Sequence, residues 1–279
     1  MPIKTATLKV PGADLYYEVR GAGPALVMMP GGPADAWAFR DIAGILASNY
    51  TVVTYDPRGL SHSKLESPLE KELIVQVFAD DVHRLLAAVA GNDKGFVFAS
   101  SGGATISLEL AARHAEELDT LVVHEPPSPS LQPDPDHVWA GMKEVVETYR
   151  KGDAGAAMQK FAALIRLRDQ GPPPAPEGEP TPEMREAMAQ MQRNMDLFFT
   201  DYMEAIADYE PDFDALKIAS CRIVAAVGDE SRGELAHDGG LGLAKRLKTR
   251  AVVFPGAHAG FDSHSAKFAV KLREVLEGA

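Results

Sequence analysis

Phe96-Val-Phe-Ala-Ser-Ser-Gly-Gly-Ala104 runs from a short apolar stretch with strand character straight into a helical pattern. A nucleophile held at such a junction sits on a strained turn, so the residues two before and two after it must be small. Ser101 meets that condition, with Ala99 and Gly103 at those positions. Ser100 does not, because Phe98 stands where only a small side chain fits. Gly102 then offers a backbone N–H at a helix N-terminus, where a developing oxyanion is favoured.

Short β-rich runs alternate with helical patterns on either side of this segment. Thr5–Val10 and Leu15–Val19 read as an opening pair of strands around the turn signal Pro11-Gly12-Ala13-Asp14. Ala25–Met29, Thr51–Tyr55, Phe96–Ala99, Leu121–Val123, Arg222–Val227 and Ala251–Phe254 continue the series, several without polar alternation, as for strands covered on both faces. Helices are expected at Ala34–Ala47, Leu69–Ala90, Gly102–His114, Glu234–Leu247 and Ser265–Leu276. The alternation predicts an α/β fold with a mostly parallel, eight-stranded sheet flanked by helices.

The alternation breaks between about Ser128 and Asp214. Helices are expected there at Val138–Arg150, Ala154–Arg168 and Pro182–Tyr209, with Asp153 and Thr181-Pro182 as starts. The proline-rich stretch from Gly171 to Pro180 reads as a mobile connector. The division that follows is a core of residues 1–127 and 215–279 with a helical lid inserted at 128–214. Met184, Met188, Met191 and Met195 share one face of the last lid helix. They read either as packing on the core or as an adaptable wall over an apolar pocket.

Four segments in chain order resemble the α/β-hydrolase superfamily. Ala99-Ser-Ser-Gly-Gly103 resembles its Gly-x-Ser-x-Gly elbow, with Ala in place of the first Gly. Met29-Pro-Gly-Gly-Pro33 is similar to the His-Gly-x-Pro oxyanion loop, with Pro30 replacing the His that braces it. Tyr55-Asp-Pro-Arg-Gly-Leu-Ser-His-Ser63 resembles the Asp-x-Arg-Gly-x-Gly-x-Ser turn, with Ser61 replacing the second Gly. Pro255-Gly-Ala-His-Ala-Gly-Phe261 follows the last strand, where the family carries its catalytic His. The resemblance implies Gly32 as the second oxyanion donor beside Gly102. Asp56 and Arg58 are read as loop braces, with a substrate-carboxylate role for Arg58 as the alternative.

Serine needs a general base, and among eight histidines His258 lies in a Gly-flanked loop able to reach the elbow, with His264 as fallback. His124 ends a core strand; the remaining histidines read as surface or structural. The base needs a carboxylate to orient it and stabilise its charged form. The common family position for that acid falls on Ser231 in Val227-Gly-Asp-Glu-Ser231. Glu125, after the preceding core strand and next to Pro126-Pro127, is the favoured acid, with Asp229 or Glu230 as the alternative.

Composition narrows the function class. A net charge of -12 leaves no basic face for nucleic acid and disfavours an anionic membrane surface. One cysteine, Cys221, permits no internal disulfide and no cysteine metal cluster. Met1-Pro2-Ile3-Lys4-Thr5 lacks the apolar core of a secretory signal, so a cytoplasmic location is expected. The resemblance implies a cofactor-independent serine hydrolase, without metal, cleaving an ester or lactone of a small hydrophobic molecule through an acyl-enzyme on Ser101. Carbon–carbon bond hydrolysis, a proline iminopeptidase-like activity suggested by Gly31-Gly32-Pro33, and a non-catalytic ligand-binding member of the fold are the alternatives.

Overall fold

The computed structural model describes residues 2–166 and 181–278. Nine strands among them form one sheet: β1 (Lys4–Val10), β2 (Ala13–Arg20), β3 (Ala25–Met29), β4 (Thr51–Tyr55), β5 (Lys64–Leu65), β6 (Gly95–Ser100), β7 (Leu118–His124), β8 (Arg222–Gly228) and β9 (Val252–Phe254). The order across the sheet is β1-β2-β4-β3-β6-β7-β8-β9, with the two-residue β5 paired to β2. β1 runs antiparallel to β2 and β2 to β4, whereas every pairing from β4 through β9 is parallel. The sheet therefore has eight strands of the expected kind and a ninth too short to show as an apolar run.

The helices are α1 (Arg40–Leu46), α2 (Ile74–Ala90), α3 (Ser101–His114), α4 (Pro135–Arg150), α5 (Ala154–Ile165), α6 (Pro182–Leu197), α7 (Met203–Asp208), α8 (Phe213–Ile218), α9 (Leu235–Arg246), α10 (Gly260–Ser263) and α11 (Ser265–Leu276). Period-two alternation in β3 sends Leu26 and Met28 to one face and Val27 and Met29 to the other. The first face packs on α1 and α11 through Ile42, Phe268 and Leu272. The second packs on α2 and α3 through Val82, Leu85, Leu108 and Leu110. Burying each of these side chains contributes on the order of 1.5–3 kcal/mol. Two covered faces hold the sheet rigid, and the parallel strands all deliver their carboxyl ends to one edge.

α4 to α8 lie between β7 and β8, and α4 to α7 form a helical insertion over that edge. Asp153 caps α5 by accepting from Ala156 N (2.9 Å), and Thr181 caps α6 by accepting from Met184 N (3.2 Å), with Pro182 at the first helical position. The long helix expected over Pro182–Tyr209 is interrupted. A π-helical turn over Phe198–Tyr202 separates α6 from α7 and rotates the following residues on the helix surface. Phe198, Phe199 and Tyr202 are all buried, on one face of this turn. The stretch Gly171–Pro180 lies outside the described residues. No helix among the described residues is long and apolar enough to cross a membrane.

Candidate active site

Ser101 opens α3 with φ +57, a left-handed conformation that costs a non-glycine residue about 1–3 kcal/mol. Tight packing enforces it. A Cβ on Gly103 would lie 2.3 Å from Pro30 O, and one on Gly31 would lie 2.5 Å from the Cβ of Ser101. The loop after β3 and the β6–α3 turn therefore interlock, backbone against backbone. Gly32 (φ +58) and Gly102 meet at this junction, since a Cβ on Gly102 would sit 3.4 Å from Gly32 N. Gly102 N–H belongs to the first turn of α3 and has no carbonyl four residues back within the helix. Ser101, Gly31, Gly32, Gly102 and His258 all line one cavity.

His258 follows β9, and its Nδ1 lies 2.7 Å from Glu125 Oε2. That leaves Nε2 as the ring nitrogen free to serve Ser101. Glu125 is fully buried and left-handed at φ +53, immediately after β7. Its N–H donates to Ala226 O (3.0 Å), which seats it on the neighbouring strand. Oε1 accepts from Gly228 N (2.8 Å) and from the Ser231 hydroxyl. Burial alone would raise the Glu125 pKa. The hydrogen bond from His258, the nearby imidazoles and the Gly228 N–H outweigh burial and hold it at about 2.

The alternative acids point elsewhere. Asp229 accepts from Gly256 N (2.7 Å), and Glu230 faces His264 Nε2 at 4.0 Å. Ser231, at the position where the family acid would stand, instead donates to Glu125. His237 Nδ1 lies 3.0 Å from the same hydroxyl, placing a second imidazole behind the carboxylate. His264 Nδ1 meets Ser263 Oγ at 3.0 Å. Arg58 is buried and grips Asp81 of α2 with two hydrogen bonds (2.7 and 2.5 Å), so its guanidinium is turned to the core and not to a substrate. Asp56 braces as expected, accepting from Ala36 N and His62 N. Nothing in the local sequence announced Asp81, one of two adjacent acids in an amphipathic helix.

His124 is fully buried, and among the described residues neither ring nitrogen has a hydrogen-bond partner. Phe98, Phe254 and Phe268 surround it, and its ring lies 6.3 Å from that of His258. Burial pushes its pKa down to about 4, against the opposing pull of the Glu125 charge. The unfolded chain therefore takes up this proton near pH 6.5 and the native chain only near pH 4, so stability falls as pH drops through that window. The loss amounts to about 3 kcal/mol. Urea unfolding at stepped pH is expected to show this slope in the native sequence and to lose it in His124→Phe; an unchanged slope would refute the assignment.

Among the described residues, one group of side chains has metal-ligating chemistry. Donor atoms of His83, His114 and Glu117 lie within 4.8 Å of one another. The two imidazoles, however, stack face to face (4.1 Å, planes 8° apart), so their in-plane lone pairs run side by side instead of converging. Glu117 and Asp80 are hydrogen-bonded to them at 2.7 and 3.2 Å. This is a hydrogen-bonded stack, and its donors do not converge on an ion.

The cavity beside Ser101 has a volume of about 380 Å³. The insertion supplies the large apolar side chains of one wall, with Met142, Met158, Phe161, Met195, Phe199 and Met203 prominent. Of the four methionines aligned in the sequence, only Met195 turns to the cavity. Met184, Met188 and Met191 are 42%, 61% and 48% exposed, neither packed on the core nor part of the wall. Cys221 precedes β8 half-buried, and burial raises its thiol pKa.

Comparison with known proteins bears on the family and the fold. The sequence profile of the alpha/beta hydrolase fold matches residues 24–168. An uncharacterized hydrolase of Bacillus subtilis (strain 168), YraK, is 33% identical over 282 residues, covering 99% of this chain and 97% of that one. Among solved structures, a thermophilic esterase from Thermogutta terrifontis superposes with a TM-score of 0.72 at 18% identity, covering 99% of this chain and 98% of the other. The enol-lactonase from Burkholderia xenovorans LB400 superposes with a TM-score of 0.68 at 18% identity, over 98% and 100% of the two chains. With its sheet order, its interlocked elbow and a full-length relative above 30% identity, the chain belongs to the α/β-hydrolase family.

Proposed function

We propose that this hydrolase cleaves the ester or lactone bond of a small apolar substrate through an acyl-enzyme on Ser101. The observation that carries the reading is the Glu125–His258 pair, 2.7 Å apart, beside a serine elbow in the wall of an apolar cavity. Ser101 Oγ attacks the carbonyl while His258 Nε2 takes its proton. Glu125 fixes the ring with Nδ1 protonated and stabilises the imidazolium. Gly32 and Gly102 N–H groups hold the oxyanion, the kind of donor whose loss costs about 10²–10³ in kcat. His258 then protonates the leaving alcohol, and a water, activated by the same ring, releases the acid.

The apolar wall supports an uncharged, hydrophobic substrate, because polar groups placed there would lose water without gaining partners. Residues 128–214 act as a lid over the core of 1–127 and 215–279 in this reading, and the enzyme works in the cytoplasm on small molecules without cofactor or metal. A solved neighbour described as an esterase and another described as an enol-lactonase are in keeping with it. A fluorophosphonate probe tests it together with p-nitrophenyl butyrate. The expected result is turnover of the ester and one probe mass on Ser101. A folded protein that neither labels nor hydrolyses would instead be a ligand-binding member of the fold.

A further inference from the structure

Gly32 carries no side chain that could fix the direction of its own amide. Gly32 is left-handed and lacks a Cβ, so it can adopt many backbone orientations. Pro30, where the family resemblance places a bracing His, has no side-chain donor. The β6–α3 turn packs against the loop at Pro30 and Gly31, and a further tie is made on its far side, at Pro33.

Asn194 makes that tie. It lies in α6 of the insertion, is 1% exposed, and uses its whole amide. Nδ2 donates to Pro33 O (3.2 Å) and to Ser61 Oγ (2.9 Å). Oδ1 accepts from Ser61 N (2.9 Å) and from Gln190 Nε2 (3.0 Å). Ser61 in turn donates from Oγ to Asp35 Oδ2 (2.5 Å), and Asp35 Oδ1 accepts from Trp37 N (3.0 Å). Asp56 completes the tie through Ala36 N (3.0 Å). One insertion residue thus grips both loops beside the elbow, and its bond to Pro33 O falls one residue beyond Gly32. Ser61 stands where the family pattern has glycine, and its hydroxyl forms two of these links. Its left-handed φ of +48 is a strain that the same links offset.

We infer that Asn194 is a positioning residue: with α6 docked it aims the Gly32 N–H at Ser101, so the insertion that walls the cavity also sets the oxyanion donor. This rests on the proposed role of Gly32. Substrate filling the cavity holds α6 and α7 in place, and that same contact keeps the amide aligned. A hydrogen bond to a carbonyl is strongly direction-dependent, which makes an undocked helix a poor anchor.

The test compares the native chain with Asn194→Ala and Asn194→Asp well below their melting temperatures. Asp has the shape of Asn and still accepts from Ser61 N, but it cannot donate to Pro33 O. It therefore serves even if the Ala variant fails to fold. Both variants are expected to lose 10- to 100-fold in kcat on p-nitrophenyl butyrate, a part of the ~10²–10³ that loss of one donor costs. KM is expected to move less than threefold. Inhibition by butylboronic acid, whose tetrahedral adduct on serine places an oxygen in the oxyanion site, is expected to weaken in parallel with kcat. A purely structural Asn194 would lower the melting temperature and leave kcat within twofold, and that result overturns the inference, as does a wild-type kcat in Asn194→Asp. Amide exchange across residues 29–36 is measured in the same proteins and is expected to accelerate in both variants. Unchanged exchange there defeats the pin, whereas a native protein inert toward ester and boronate defeats the catalytic reading.

Discussion

Ser101→Ala is expected to lower kcat on p-nitrophenyl butyrate by about 10⁶-fold, the scale found when a triad serine is removed. The remaining rate, about 10³–10⁴ above water, would come from the two amides and from binding alone. Folding is expected to survive. Alanine meets the same left-handed turn as serine, and among the described residues the hydroxyl it removes leaves no hydrogen-bond partner stranded. The melting temperature is therefore expected to stay within a few degrees of the native value. Retained turnover would show that the chemistry does not pass through Ser101. The adjacent Ser100 is extended at φ -120 and lacks the left-handed turn of the elbow, so it is not expected to take over.

Glu125→Gln is expected to cost about 10³–10⁴ in kcat, in line with replacing the acid of other serine triads by its amide. Glutamine preserves the shape and can still accept from Gly228 N. It can also present an NH₂ to His258 Nδ1, which selects the tautomer with the proton on Nε2, where no proton can be received. Glu230→Gln is expected to stay within twofold, since that carboxylate faces His264 at the surface. A large loss in the second variant with a small one in the first would move the acid to the other loop. The same carboxylate has a pH signature. Its pKa is depressed to about 2 in the fold, so its contribution to stability is present above its ordinary value of 4.5 and is lost as pH falls toward 2. That window is centred below the one for His124 and overlaps it only near pH 4, so His124→Phe and Glu125→Gln, unfolded at stepped pH, separate the two.

The elbow was readable because its chemistry is local. A strand, a nucleophile and a helix within nine residues leave room only for small neighbours, and Ala99 and Gly103 stand at the required spacing. The covered sheet was readable for a similar reason, from apolar runs such as Leu26–Met29 that show no polar alternation. The short elements α8, α10 and β5 were not, since four to six residues, or two, hold too little of a period. The partner of His258 lay between Glu125 and the pair Asp229/Glu230 because both loops follow strand ends. Only the third dimension shows Ser231 turned toward Glu125, and Asp229 turned toward Gly256. Asn194 had no signal at all. A polar residue in an amphipathic helix looks solvated, and its partner Ser61 is 133 residues away. The methionine row was correctly assigned to one helix face, but the π turn at Phe198 decides how the segment meets the core.

β7 and β8 are neighbours in register, with His124 beside Ala226, so their ends lie only about 4.8 Å apart. Either end can therefore deliver a carboxylate to the same imidazole nitrogen, and the rest of the sheet need not change. The two solutions exclude each other. A carboxylate at 231 would face Glu125 across the gap that one O–H···O bond now spans, and two like charges there could not both stay ionised. A lineage exchanging one solution for the other must pass through a short neutral residue at one of the two positions. Ser231 is such a residue: the apparent vacancy at the usual acid position is the condition under which Glu125 can carry a charge.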